Sequence, residues 1–159
     1  MKYLIAALTL VLATPALAGD PVAGEADFKK CKACHMITAP DGTAIQKGGK
    51  VGPELWGVIG RQLGGVEGFS YSAATVAAGS DGTVWDEAML AAYLVDPSAW
   101  LVEKTGDAGA KSKMSFKLKE GGEDIAAYLA SLNPEEEDEA DTLGGLIFEM
   151  AGRVPARGE

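Results

Sequence analysis

One histidine and two cysteines are all that 159 residues contain of the side chains that build structural zinc sites, and the three fall within five positions. Three local ligands are too few for a structural zinc centre, which takes four. Length is limited too: the stretch of about 114 residues between the ends makes one compact domain with a core that is adequate though small. No stretch shows sustained β-branched alternation, which speaks against a fold built on sheets. Positive charge is also in short supply. Fourteen lysines and arginines face 23 acidic residues, for a net charge of −9, which excludes the basic footprint of a nucleic-acid binder. After the first 18 residues, no apolar run approaches the ~20 residues that a membrane-spanning helix needs.

What is present is unevenly distributed. Residues 1–18 have the pattern of a secretory leader: Lys2 supplies the positive end, Tyr3 to Ala13 the apolar stretch, and Ala16-Leu17-Ala18 a small-residue cleavage site. Cleavage there would start the mature chain at Gly19 and, by removing Lys2, leave a net charge of −10. Residues 19–132 make one domain. Residues 133–159 form an acidic tail with eight acids and two bases, including Glu135-Glu136-Glu137-Asp138-Glu139, a run expected to be solvated and disordered.

The rare residues spell Cys31-Lys32-Ala33-Cys34-His35. C-x-x-C-H is the attachment signature of a c-type haem. The two thiols are spaced to form thioethers with the two vinyl groups, and the adjoining His35 is carried to the iron as an axial ligand. A thioredoxin-like dithiol is the competing reading of C-x-x-C. It expects a surrounding βαβ pattern, which the sequence does not show before Cys31, and leaves His35 unexplained. With both thiols committed to one haem c, no disulfide is expected.

The periodicity predicts short helices joined by long loops. Asp20-Pro21 reads as an N-cap and first helical residue, with the helix running from Val22 to about Lys30. Residues 39–68 are rich in glycine and charge and read as loop. Ser70 to Ala78 is predicted as a short helix, and Asp86 to Val95 as a clearer one, with Met89, Leu90, Tyr93 and Leu94 at helical spacing. Asp96-Pro97 ends it and starts a short turn through Trp100 and Leu101. Lys104 to Glu120 reads as loop, and Glu123 to Leu132 as an amphipathic helix bearing Ile125, Tyr128, Leu129 and Leu132. So much loop in a small domain needs a large central cofactor to pack against.

With no second histidine, methionine is the candidate for the other axial position. Met1 leaves with the leader, and Met36 adjoins His35 and so lies on the wrong side of the ring. Met89 sits in a helical stripe with Trp85 and Tyr93, and Met150 lies in the tail. Met114 remains, an apolar residue among lysines in Lys111-Ser112-Lys113-Met114-Ser115-Phe116-Lys117. A His/Met pair raises the reduction potential relative to two histidines. A filled sixth position favours electron transfer over catalysis.

These blocks, with Gly24 and Phe28, Gly52-Pro53-Glu54-Leu55, Gly60-Arg61, Gly68-Phe69-Ser70-Tyr71, Trp85, Tyr93-Leu94, Asp96-Pro97 and Tyr128-Leu129, occur in the order seen in one family. The chain resembles the class I cytochromes c, most of all the soluble periplasmic ones of bacteria that stand nearest to mitochondrial cytochrome c. The resemblance implies an all-α cytochrome c fold, short helices and long loops wrapped around one covalent haem. It implies that the Pro53 carbonyl accepts a hydrogen bond from His35, that Tyr71 and Trp85 donate to a buried haem propionate, and that Arg61 offsets its charge. Tyr93 would sit near the Met114 sulfur, and Gly24 and Phe28 would pack the first helix on Tyr128. Ser112 stands where relatives often carry threonine.

The same resemblance implies a monomeric periplasmic electron carrier, not an enzyme. Its donor would be a cytochrome bc complex, and its acceptor a cytochrome oxidase, a reductase or a photosynthetic reaction centre, with only transient contact to those membrane complexes. Two rivals are a haem enzyme or gas sensor with an open sixth site, and a subunit of a larger complex bound through the tail. Lys30, Lys32, Lys111, Lys113, Lys117 and Lys119 flank the candidate ligands, which predicts a positive ring around the exposed haem edge despite the acidic total.

Overall fold

In a computed structural model of the chain, residues 19–133 are described. The leader expected over residues 1–18 and the acidic tail beyond Asn133 lie outside the described residues.

Helix α1 (Pro21–Asp27) starts where the sequence says it should. The Asp20 carboxylate accepts the Val22 and Ala23 N–H groups at 2.9 and 3.4 Å, and Pro21 occupies the first turn. The helix does not continue to Lys30. It tightens into a single 3-10 turn, Phe28–Lys30, with the Phe28 side chain fully buried. The chain then turns again, with the Cys34 and His35 N–H groups both on the Cys31 carbonyl at 3.1 and 2.9 Å.

Part of the segment expected to be loop is a small antiparallel hairpin. Strand β1 (Ile37–Thr38) pairs with β2 (Ala44–Gln46). Asp41 holds the turn by accepting the Thr43 N–H and hydroxyl, and Gly42 supplies the left-handed backbone at φ 88°. Strands of two and three residues are too short to show alternation, so the sequence carried no signal for them.

Helix α2 (Ala73–Ala78) is capped by Ser72, and α3 (Glu87–Val95) by Asp86, whose carboxylate accepts the Met89 N–H. The turn expected after Asp96-Pro97 is a nine-residue helix, α4 (Pro97–Thr105). Asp96 caps it, fully buried Leu101 anchors it, and Gly106 ends it in the left-handed conformation at φ 71°. Lys104, where the sequence predicts a loop to begin, lies in the last turn, where a cation suits the helix dipole. Helix α5 (Gly122–Ser131) buries Ile125, Ala126, Tyr128 and Leu129.

The first and last helices close the domain. A Cβ on Gly24 would run into the Asp124 carbonyl of α5 and stand 2.8 Å from the Tyr128 Cβ, so α1 sits directly on the α5 backbone. The Phe28 and Tyr128 rings meet edge to face with centroids 5.8 Å apart, and the Asp20 N–H donates to the Asp124 carboxylate at 2.8 Å. Helix α3 packs on α5 as well. The product is the helical architecture expected, with one small hairpin and long connecting loops around a central cavity. Among the described residues, no helix is long and apolar enough to cross a membrane.

Candidate cofactor site

The cavity measures about 590 Å³, within the ~300–1,000 Å³ usual for small-molecule and cofactor sites. Phe28, Leu90, Leu94, Ile125 and Leu129 give it apolar walls. Cys31, Cys34, His35 and Met114, the residues singled out in the sequence, line this one space. So do Pro53, Arg61, Tyr71, Trp85 and Tyr93. Met89 does not; it packs, half-buried, against the core. Met36 is also absent from the lining, and Met150 lies outside the described residues.

His35 is held rather than loose. Its Nδ1 lies 2.8 Å from the Pro53 carbonyl, which makes Nδ1 the protonated nitrogen and leaves Nε2 free for a metal. A Cβ on Gly52 would overlap the imidazole ring, so glycine is the residue that lets this loop lie flat against the histidine. Burial lowers the His35 pKa below the usual histidine value, opposed by the Pro53 bond. The ring is therefore kept neutral, the form that binds metals.

The loop behind Pro53 is braced by contacts the sequence did not reveal. One oxygen of Glu54 accepts two backbone N–H groups, from Thr38 at 2.9 Å and Trp56 at 2.8 Å. Arg61 donates to the Glu54 and Trp56 carbonyls at 2.7 and 3.1 Å. The arginine thus shapes the loop that orients His35, as well as facing the cavity. Its charge is disfavoured by burial and supported by the Glu54 carboxylate.

The Cys31 thiol is unlike the reactive thiol of a redox dithiol. Burial pushes the Cys31 thiol up to about 11, with Lys30 opposing it. A reactive dithiol needs a thiol lowered towards neutrality, and Cys31 is shifted the other way. Across the cavity, burial also raises the Tyr71 and Tyr93 phenols above their ordinary value. Both remain protonated donors at neutral pH. Trp85, Tyr93 and Trp100 stack into one cluster, with the Trp85 and Tyr93 centroids 5.1 Å apart.

Met114 is carried by a stitched loop. Its N–H donates to the Ser112 hydroxyl at 3.0 Å, and that hydroxyl also bonds the Tyr93 phenol at 2.8 Å. Lys113 reaches across to Ser70, donating to its carbonyl at 2.7 Å and its hydroxyl at 2.9 Å. Val51 and Phe116 line the cavity while remaining exposed, at 78% and 41%. Neither stood out in the sequence, where an isolated apolar residue in a loop carries no pattern. The residues present fit a flat, apolar, covalently tethered group with an imidazole and a thioether available to its metal.

No protein-family model matches the chain. Over 143 residues it is 52% identical to cytochrome c-550 of Paracoccus versutus, covering 89% of this chain and 93% of the relative. Over 135 residues it is 53% identical to cytochrome c2 of Rhodobacter capsulatus, covering 83% of this chain and 98% of the relative. Its structure is similar to that of ferric cytochrome c-550 from Paracoccus versutus, with a TM-score of 0.71 at 52% identity over 73% of this chain and 99% of that one.

Proposed function

Because this chain belongs to the class I cytochromes c, of the c2 and c-550 type, we propose that it shuttles single electrons between membrane complexes in the periplasm. It is an electron-transfer protein with one covalent haem c, not an enzyme. The bound haem supplies the one-electron ferric–ferrous couple. In this reading Cys31 and Cys34 would carry the two thioethers, and His35 Nε2 and Met114 Sδ would hold the iron. Pro53 orients the imidazole, Tyr71 and Trp85 donate to a propionate, Arg61 lowers the cost of its charge, and the apolar walls exclude water.

The observation that carries this reading is that Cys31, Cys34, His35 and Met114 line a single apolar cavity although Met114 lies 79 residues beyond His35. The test is the ferric absorption spectrum of holoprotein variants. Met114→Ala should lose the weak far-red band of an iron–thioether bond and bind carbon monoxide rapidly once reduced. Met89→Ala should keep the band and lose only stability. The reverse pattern would overturn the ligand assignment.

The donor proposed is a cytochrome bc complex, and the acceptor a terminal oxidase, a reductase or a photosynthetic reaction centre. The leader pattern of residues 1–18 supports export to the periplasm, and a processed chain would act as a monomer. Docking is proposed on the face where Val51 and Phe116 border the cavity. Of the six lysines flanking the site, Lys30 is paired with Asp27 at 2.7 Å, Lys117 with Asp96, and Lys113 is bound to Ser70. Lys32, Lys111 and Lys119 hold no ion pair or side-chain hydrogen bond among the described residues. Those three, with Lys113 whose partner Ser70 is neutral, are the cations proposed to meet an acidic partner.

A further inference from the structure

We propose that the corner between α3 and α4, Asp96-Pro97-Ser98, is a two-pronged clamp that positions Met114 and sets how readily it leaves the iron. The inference rests on Met114 being the sixth ligand. It adds residues that approach neither the metal nor the cavity wall.

The two prongs grip the methionine loop on either side of Met114. On one side the Ser98 hydroxyl accepts the Ser112 N–H at 3.1 Å. This fixes the backbone of the residue whose own hydroxyl receives the Met114 N–H. On the other side the Asp96 carboxylate takes the Lys117 ammonium, three residues beyond Met114. The Leu118 N–H on the Leu94 carbonyl at 2.8 Å extends this second attachment. Between the prongs, Ser115 and Phe116 are exposed, so Met114 rides a short span held at both ends.

The corner is rigid enough to act as a reference point. Pro97 is buried and fixes its own φ, and the Asp96 carboxylate also caps α4 through the Ala99 N–H at 3.2 Å. The same carboxylate therefore ties the start of a helix to the far end of the loop. Ser98 and Ser112 form a relay: Ser98 holds the Ser112 backbone, Ser112 holds the Met114 backbone, and Tyr93 holds the Ser112 hydroxyl at 2.8 Å. Losing a prong should leave the fold intact and lengthen the free span around Met114.

Ser98 and Lys117 are accordingly positioning residues, and their role is read by ligand entry rather than by unfolding. The experiment measures imidazole binding to the ferric holoprotein, a process gated by departure of Met114. Ser98→Ala and Lys117→Gln should each speed entry by about 3- to 10-fold, the change expected from one lost hydrogen bond. Ser98→Thr, which keeps the hydroxyl, should restore the wild-type rate. Asp96→Asn, which can still cap α4, should match Lys117→Gln, and their double variant should add little to either. The denaturation midpoint serves as the control. Entry rates unchanged in both Ser98→Ala and Lys117→Gln would overturn the clamp, as would rates that rise only in proportion to lost global stability. If Met114→Ala instead retained the iron–thioether band, the ligand assignment would fail before the clamp was reached.

Discussion

Gly24→Ala sets two effects of similar size against each other, and the structure decides between them. Alanine is the better helix former by about 0.8–1.0 kcal/mol, so an exposed glycine in α1 would gain from the change. Gly24 is not exposed. The added methyl group would enter the Asp124 carbonyl and stand 2.8 Å from the Tyr128 Cβ. Both obstacles belong to α5, whose backbone cannot turn aside as a flexible side chain could. Moving α1 away relieves the overlap but loosens the Phe28–Tyr128 edge contact at 5.8 Å. Overpacking costs about 1–3 kcal/mol, and the aromatic contact contributes about 0.5–1.5 kcal/mol beyond area burial. After subtracting the helix gain, Gly24→Ala should destabilise the holoprotein by about 0.5–3.5 kcal/mol. Guanidinium denaturation followed by tryptophan fluorescence would read this as a lower midpoint at unchanged slope. Ala26→Gly, on an exposed face of the same helix, is the control and should cost about 1 kcal/mol. A Gly24→Ala protein as stable as wild type, or more so, would refute the close-packing argument.

Other outcomes can be checked in the same way. Tyr128→Phe removes the partner of the buried Gln46 amide, which donates to the phenol at 2.9 Å, and should cost about 1–3 kcal/mol by thermal or chemical denaturation. Replacing both Cys31 and Cys34 with alanine should give a chain without covalent haem whose far-ultraviolet dichroism shows poor folding; a well-folded haem-free variant would contradict a core completed by the cofactor. Asp81 is held below the usual carboxylate range by the Thr83 side chain and then its backbone N–H. Its contribution is present above the unfolded value of about 3.9 and is lost as pH falls through the lower folded value, so Asp81→Asn should flatten that acid limb of a stability–pH curve. In stopped-flow electron transfer to a bc complex or oxidase, Lys32→Glu should slow association most at low salt, and the difference should fade as the screening length nears about 8 Å at 0.15 M. A flat salt dependence would remove the docking face.

The residues that chemistry makes conspicuous were readable from the sequence. C-x-x-C-H announced the cofactor because a redox dithiol leaves His35 unexplained, and elimination among five methionines reached Met114, which among the described residues is the methionine that lines the cavity. Asp20 and Asp86 marked helix starts, and Asp96-Pro97 a turn that is in fact a third helix start, because a cap is a local event. The extent of α4 was missed because its stabilisation comes from Leu101, whose burial is tertiary. The hairpin at residues 37–46 was missed because it has too few residues for a period. Arg61 was assigned to a propionate through resemblance alone, and its bonds to the Glu54 and Trp56 carbonyls could not be inferred, since backbone acceptors leave no trace in side-chain sequence. The Ser98–Ser112 bond was invisible because its donor is a backbone N–H, which every residue but proline carries.

Helix α5 also decides where the domain can be cut and rejoined. Gly19 lies against the Glu123 backbone at the start of that helix, and Asn133, just past its end, donates to the Ile59 carbonyl at 2.9 Å. A ten-residue helix is about 15 Å long, so the two ends of the domain are separated by roughly that distance. About five or six extended residues would bridge it. A circular permutant joined there can open at the Asp41-Gly42 turn, where Gly42 has no neighbour within 4 Å of an added Cβ. That cut would place α1 and the C-x-x-C-H turn directly after α5, making neighbours in sequence of the two helices that are already neighbours in space.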